Sequence, residues 1–230
     1  MPELPKYRHE LKYVIGPPEY YVLRSRLAPV MSRDRHVSAD GSYLIRSIYF
    51  DNIEDKALRE KLCGVPLREK FRIRCYNDDL GFLILEKKIK HNELCMKIDA
   101  QITVEECREI LARNTSLMLK HPSGLVRELG CKMNYQQLRP RVLVSYRREP
   151  FVYAPGNVRV TFDSQLRSTL WHGSFLDEKV YDISALDSPG EIILEVKYDA
   201  FLPDTIACLL QTGLARQQAF SKYGACRRFG

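Results

Sequence analysis

The 230-residue chain has a single tryptophan, no C-x-x-C pair and no apolar run longer than a few residues. Runs such as Phe82–Leu85 and Ile192–Leu194 fall far short of the roughly 20 residues that a membrane-spanning helix needs. Met1-Pro2-Glu3-Leu4-Pro5 lacks the basic stretch and apolar core of a secretory leader. The cysteines (Cys63, Cys75, Cys95, Cys107, Cys131, Cys208 and Cys226) are odd in number, and no histidine stands beside them at ligand spacing. They are expected as reduced, structural thiols of a soluble cytoplasmic protein, not as a disulfide framework or a zinc site. The glycines form neither a P-loop nor a dinucleotide fingerprint, so phosphate recognition, if present, must come from side chains. None of His9, His36, His91, His121 and His172 has a sequence partner that marks it as a base. His9 alternates with Tyr7 and Leu11 and reads as a packed residue on an apolar face.

What the chain has in quantity is charge, arranged with period two. Lys and Arg number 36 against 29 Asp and Glu, a net +7 that admits nucleic acid, anionic lipid or a small polyanion as partner. Alternation predicts strands at Lys6–Val14, Leu44–Asp51, Leu67–Tyr76, Phe82–Lys90, Leu94–Thr103, Arg141–Glu149, Asn157–Asp163 and Glu191–Tyr198. Helices are expected at Pro17–Ala28, from the Thr103/Glu106 capping box through Ala112, at Leu125–Leu138, and at Pro203–Leu214. No linker or repeat divides the chain, so a single domain over residues 1–230 is expected. Its fold class is α+β: an eight-stranded antiparallel β tunnel, that is a closed barrel, with helices packed outside.

The direction of the charged faces decides what such a barrel could do. Arg68, Lys70, Arg72 and Arg74 form a row of like charges opposite Phe71, Ile73 and Cys75. Neighbours in that row stand about 7 Å apart, because each residue rises about 3.3 Å. If the apolar faces are covered by helices, the basic rows line the interior, and that interior must hold water and a polyanion. Three E-x-K pairs interrupt the basic pattern: Glu10-Leu11-Lys12, Glu86-Lys87-Lys88 and Glu195-Val196-Lys197. Each puts a carboxylate beside an ammonium. One such pair alone reads as a cross-strand ion pair; three together read as metal carboxylates with lysines for metal-bound phosphate.

The ordered set Tyr7-Arg8-His9-Glu10-Leu11-Lys12-Tyr13, Arg46–Asp51, Phe71-Arg72-Ile73-Arg74, Glu86-Lys87-Lys88, Tyr146-Arg147-Arg148-Glu149, Arg159–Asp163, Glu195-Val196-Lys197 and Ser221-Lys222-Tyr223 resembles the VTC family. VTC domains are polyphosphate polymerases within the triphosphate tunnel metalloenzymes (CYTH-like proteins). The resemblance implies an eight-stranded tunnel in which the ATP γ-phosphoryl group passes to a growing polyphosphate chain, with Mn²⁺ or Mg²⁺. It implies phosphate-gripping roles for Lys12, Arg72, Arg74, Lys88, Arg148, Arg159 and Lys222. It implies a metal carboxylate at Glu195 and substrate contacts at Tyr146, Lys97 and Lys197, with Tyr146 where the family stacks the nucleotide base. The related cyclase and thiamine-triphosphatase branch opens with E-x-E-x-K; here Arg8 stands at the first Glu position, which argues against that branch.

Phosphoryl transfer to a terminal phosphate needs positioning and charge neutralisation and no general base, which agrees with the unpartnered histidines. Partners expected on this basis are ATP and polyphosphate or pyrophosphate, with no nucleic acid and no integral membrane segment. Tyr7, Tyr13 and Phe71 lie opposite the basic face, whereas single-stranded nucleic acid requires aromatics beside the cations. A triphosphate or polyphosphate hydrolase and a non-catalytic polyphosphate-binding module remain open alternatives, as do a membrane partner and the oligomeric state. Asp51 and Asp163 read equally as turn residues and as metal ligands. Lys56, Arg59 and Lys61 read as an exposed face, Trp171 and Cys75 as packing, and Arg227-Arg228 as a solvated end.

Overall fold

The strict alternation of Leu67–Tyr76 produces a strand whose Phe71, Ile73 and Cys75 are buried on one side and whose Arg72 and Arg74 are enclosed on the other. In the computed structural model, which describes residues 6–169, 175–177, 182–186, 188, 190–213 and 217–228, this strand is one member of a closed ring. Trp171, His172 and Leu214 lie outside the described residues, and the helix expected over Pro203–Leu214 ends earlier, at Leu209.

The strands are β1 (Arg8–Ile15), β2 (Ser32–Arg33), β3 (Tyr43–Asp51), β4 (Leu67–Tyr76), β5 (Asp79–His91), β6 (Leu94–Ile102), β7 (Arg139–Tyr153), β8 (Val158–Thr169), β9 (Ile183–Ser184) and β10 (Ile192–Tyr198). The helices are α1 (Pro17–Leu27), α2 (Lys56–Leu62), α3 (Val104–Leu111), α4 (Thr115–Met118), α5 (Gly124–Tyr135), α6 (Asp204–Leu209) and α7 (Lys222–Arg227). Hydrogen bonding runs β7-β3-β4-β5-β6-β1-β10-β8, and β8 then pairs with β7 and closes an eight-membered antiparallel ring. The short strands β2 and β9 extend it at β7 and β8. Closure is uneven: β7 and β8 pair along most of their length, whereas β1 meets β6 only at Arg8–Cys95 and His9–Leu94.

Local chemistry explains several of these boundaries. The β4–β5 hairpin turns through Asn77 and Asp78, both at positive φ (50° and 59°), the backbone of a tight two-residue turn. The capping box before α3 forms as expected: Glu106 N donates to Thr103 Oγ1 at 3.1 Å and Thr103 N donates to Glu106 Oε2 at 2.7 Å. α2 is held at its start by the Asp51 carboxylate, which accepts from Ala57 N at 2.9 Å and Leu58 N at 3.2 Å. Tyr223 Oη donates to the same carboxylate at 2.6 Å, so Asp51 is a junction between β3, α2 and α7, not a turn residue.

Two apolar clusters cover the outside of the ring. Phe71, Ile73, Cys75, Leu83 and Leu85 pack under α3, α4 and α5 through Cys107, Ile110, Met118, Val126, Leu129 and Met133. Phe151, Val160, Phe162, Leu194 and Val196 pack under α1 and α6 through Leu23, Leu27 and Ile206. Each fully buried side chain of this size contributes about 1.5–3 kcal/mol before entropy. A third cluster is on the inside. Tyr223, Ala225 and Cys226 of α7 pack with Tyr49, Val142, Val144, Tyr146 and Ile193, which share the inward faces of their strands with the charged residues. Five helices therefore form the expected outer layer, whereas α7 packs inside and α2 joins it through Leu58, because part of the inner surface is apolar and needs cover. Arg227, read from sequence as solvated, is drawn back by an ion pair to Asp55 at 3.0 Å.

Candidate active site

The inward faces of the eight strands bring together almost every cation that the sequence singles out, and most of them arrive with a carboxylate. At the centre Glu10 of β1 stands opposite Lys197 of β10 and Lys12 opposite Glu195, so the two glutamates are diagonal neighbours, with side chains each 5% exposed. Lys12 Nζ is 3.4 Å from Glu195 Oε1 and 3.8 Å from Glu10 Oε2. Lys197 Nζ is 3.4 Å from Glu10 Oε1 and 3.3 Å from Glu195 Oε2. Lys88 of β5 reaches Glu10 Oε2 at 2.6 Å over the intervening β6.

A second group lies on β4, β5 and β6. Arg72 donates through Nε to Glu86 Oε2 and through Nη1 to Tyr49 Oη at 2.8 Å. Arg74 is near the same carboxylate at 3.8 Å and donates weakly to Ser47 Oγ and Tyr146 Oη, both at 3.3 Å. Lys97 closes this group at 3.1 Å from Glu86 Oε1, half-exposed toward the opening. A third group is centred on Asp163. Arg148 binds it with two parallel bonds of 2.6 and 2.7 Å and also touches Glu195 Oε2 at 3.1 Å. Lys222 of α7 reaches Asp163 Oδ2 at 2.6 Å, and its ammonium lies 4.9 Å from the centre of the Tyr146 ring. Arg159 stands apart at one opening, where Asp34 at 2.6 Å and Tyr43 Oη at 2.9 Å hold it.

These groups set one another's protonation. Burial pushes the Glu10 carboxyl up, but Lys12, Lys88 and Lys197 outweigh it and bring it down to about 2. Glu195 is likewise held well below the carboxylate range: Lys197, Lys12, Lys222 and Arg148 overcome the cost of its burial. Burial acts in the opposite direction on Lys197, whose amine falls to about 8 despite Glu195 and Glu10. Both carboxylates are therefore ionised at neutral pH, while Lys197 titrates just above it.

Sequence reasoning left three parts of this arrangement unassigned. Asp163, read as turn or ligand, is a fully buried counter-ion to Arg148 and Lys222. Its period-two spacing from Arg159 and Thr161 was the available signal. Tyr49 shares the interior with Tyr146, so aromatics do stand among the cations, contrary to the expectation from Tyr7, Tyr13 and Phe71. Lys70, inside the basic row, is enclosed without an ion pair among the described residues and lies 5.5 Å from the Tyr49 ring centre. His9 stacks on Tyr198 at 4.9 Å between centroids and is half-buried, as its outward position required.

A family model for the VTC domain matches residues 7–229. The chain belongs to the VTC domain family. No curated protein matches it. Among solved structures the VTC chain is similar to a protein from Hippeastrum described as a candidate adenylyl cyclase with a dominant triphosphatase activity. That similarity has 14% identity and a TM-score of 0.59, and covers 96% of each chain. It is also similar to a candidate adenylate cyclase from Bacillus halodurans, with 16% identity, a TM-score of 0.52, and coverage of 91% of this chain and 89% of that one. These likenesses show the fold, a ring of eight antiparallel strands that forms a tunnel. No helix among the described residues of the VTC chain is long and apolar enough to cross a membrane.

Proposed function

We propose that this VTC domain is a polyphosphate polymerase, in which the tunnel holds ATP and a phosphate chain in line and the γ-phosphoryl group passes to the chain end. Residues 1–230 act in this reading as one catalytic domain. The observation that carries it is the fate of Arg8. The cyclase and thiamine-triphosphatase branch has its first glutamate at this position, whereas Arg8 here turns to Asp199, with Nε 2.7 Å from Oδ1. The bore keeps its phosphate-binding cations but has one fewer carboxylate.

In this proposal Arg72, Arg74 and Arg148 orient the transferring phosphoryl group through fixed guanidinium forks, while Lys12, Lys88 and Lys197 act as mobile point charges on neighbouring phosphates. Lys222, held over Tyr146, and Arg159 at the opening extend the same track, and Lys97 serves phosphates near Glu86. Tyr146, buried under Arg148 and Lys222, gives those cations a π-face more readily than it gives a base one. The acceptor phosphate is already anionic, so no side chain has to remove a proton.

The donor set suits Mn²⁺ or Mg²⁺ in one way. Among the described residues no three His, Cys, Asp or Glu side chains converge, so a self-sufficient cage is missing. Glu195 with Glu10 offers two ionised carboxylates, and a hard cation bound by one or two carboxylates commonly completes its shell with water and phosphate oxygens. Glu195 and Glu10 would hold the ion, which supplies charge neutralisation to the transferring phosphoryl group.

Purified protein incubated with ATP and Mn²⁺, followed by separation of products by length, tests the reading. A ladder of polyphosphate is expected. Orthophosphate alone would favour the second reading, a triphosphatase, for which the activity described for the Hippeastrum relative speaks. Binding without turnover would reduce the protein to a polyphosphate-binding module.

A further inference from the structure

The cations of this tunnel fall into two populations. Within the bore, Lys12, Arg72, Arg74, Lys88, Arg148, Lys197 and Lys222 each lie within 4 Å of a carboxylate. Where β4 and β5 approach the 217–221 segment, a cavity of about 340 Å³ opens, and its cations behave differently. Lys61 of α2, Arg68 and Lys70 of β4 and Lys90 of β5 line it, and none of them has an ion pair among the described residues. Arg68 only donates to Val65 O at 2.5 Å. The acids at the same opening do not neutralise them: Glu10 is engaged by Lys12, Lys88 and Lys197, Glu69 by Lys87 and Lys132, and Glu93 lies exposed at the rim without an ion pair among the described residues.

Like charges act on two of these cations. Burial lowers the Lys61 amine from its ordinary value, and Arg68, Lys12 and Lys90 lower it further. Lys70 is pushed well below the lysine range, first by burial and then by Lys88, Lys12 and Arg72. An idle protein surface intersperses charges of both signs, and a one-sign cluster in a concavity focuses its field on an incoming anion. The cavity joins directly to Lys12 and Lys88, so an anion there is continuous with one in the bore.

We propose that this vestibule is an outer subsite for a linear phosphate chain, continuous with the bore, taking phosphates beyond those held there and giving the protein a preference for chains longer than a triphosphate. The proposal rests on the reading of the bore as a phosphate tunnel. Lys61, Arg68 and Lys90 form the outer contacts and Lys70 the passage between vestibule and bore. Exposed charge contacts of this kind are each worth roughly threefold in affinity, so removing two costs about tenfold.

The test is a calorimetric titration of the intact protein with tripolyphosphate and with long-chain polyphosphate, at low and at physiological salt. It compares the unsubstituted protein with Lys61→Gln/Lys90→Gln and with Arg59→Gln. Arg59 is on the same helix but outside the cavity, paired with Glu54, so its replacement controls for the loss of a nearby positive charge that does not line the cavity. The expected result is about tenfold weaker long-chain binding in the double variant, greatest at low salt, with tripolyphosphate affinity unchanged and Arg59→Gln without effect. Equal weakening of both ligands, the same loss in Arg59→Gln, or no loss at all overturns the vestibule. If the unsubstituted protein binds neither ligand, the tunnel reading itself falls, an outcome distinct from those three.

Discussion

Lys197 gives the sharpest test of how the bore engages an anion. Burial brings its amine down to about 8, although Glu195 and Glu10 stand beside it. In the proposed function the protonated form binds phosphate, so the sign is fixed: affinity must fall as pH rises through 8. A bound polyanion restores the proton by raising that value toward the ordinary lysine range. For a single site of pKa 8 the neutral fraction rises from about one-tenth at pH 7 to about nine-tenths at pH 9, which predicts roughly tenfold weaker binding over that interval. Binding near pH 8 should also take up about half a proton, visible as a dependence of the calorimetric heat on the buffer's ionisation enthalpy. The ligand's own titration is common to both proteins, so the ratio of affinities between Lys197→Met and the unsubstituted protein isolates the residue. If that ratio is flat from pH 7 to 9, Lys197 does not contact the anion and the assignment fails.

Three further outcomes follow from the same charges. Asp163→Asn leaves Arg148 and Lys222 without their main counter-ion, which should cost about 3–5 kcal/mol in denaturant unfolding, and tripolyphosphate should recover part of it. Arg74→Ala removes one fixed fork and should lower polymer synthesis about 10- to 100-fold while unfolding stays cooperative, as followed by product length and circular dichroism. Glu10, held at about 2 in the fold against 4.5 ordinarily, contributes about 3 kcal/mol of stability that is present above pH 4.5 and lost as pH falls toward 2. Glu10→Gln should flatten that acid limb of the unfolding curve.

The strands were legible because side-chain direction alternates strictly, and a row such as Arg68-Lys70-Arg72-Arg74 betrays its face whatever it touches. The capping box of α3 and the proline start of α1 were equally local. Long-range complementarity was not. Nothing near Asp163 announces that Lys222, 59 positions later by number, will lie 2.6 Å from it, because the ring closes through pairings of large separation. The inward position of α7 escaped for a related reason: a six-residue helix has too little length to show a periodic face, and its apolar partners come from four different strands. The division between paired cations in the bore and unpaired ones at the opening is invisible to any count of Lys and Arg.

The carboxylates threaded through the bore also bear on which anions can enter. A chloride or a single sulfate offers each lysine no more than the glutamate already in place, and it must give up its own hydration to do so. A chain of linked phosphates displaces several such partners in one event, and each engaged phosphate raises the local concentration of the next. On the proposed reading, entry is gated by charge per unit length: the cations of the bore are held by its own acids, and a ligand denser in charge than they are takes their place.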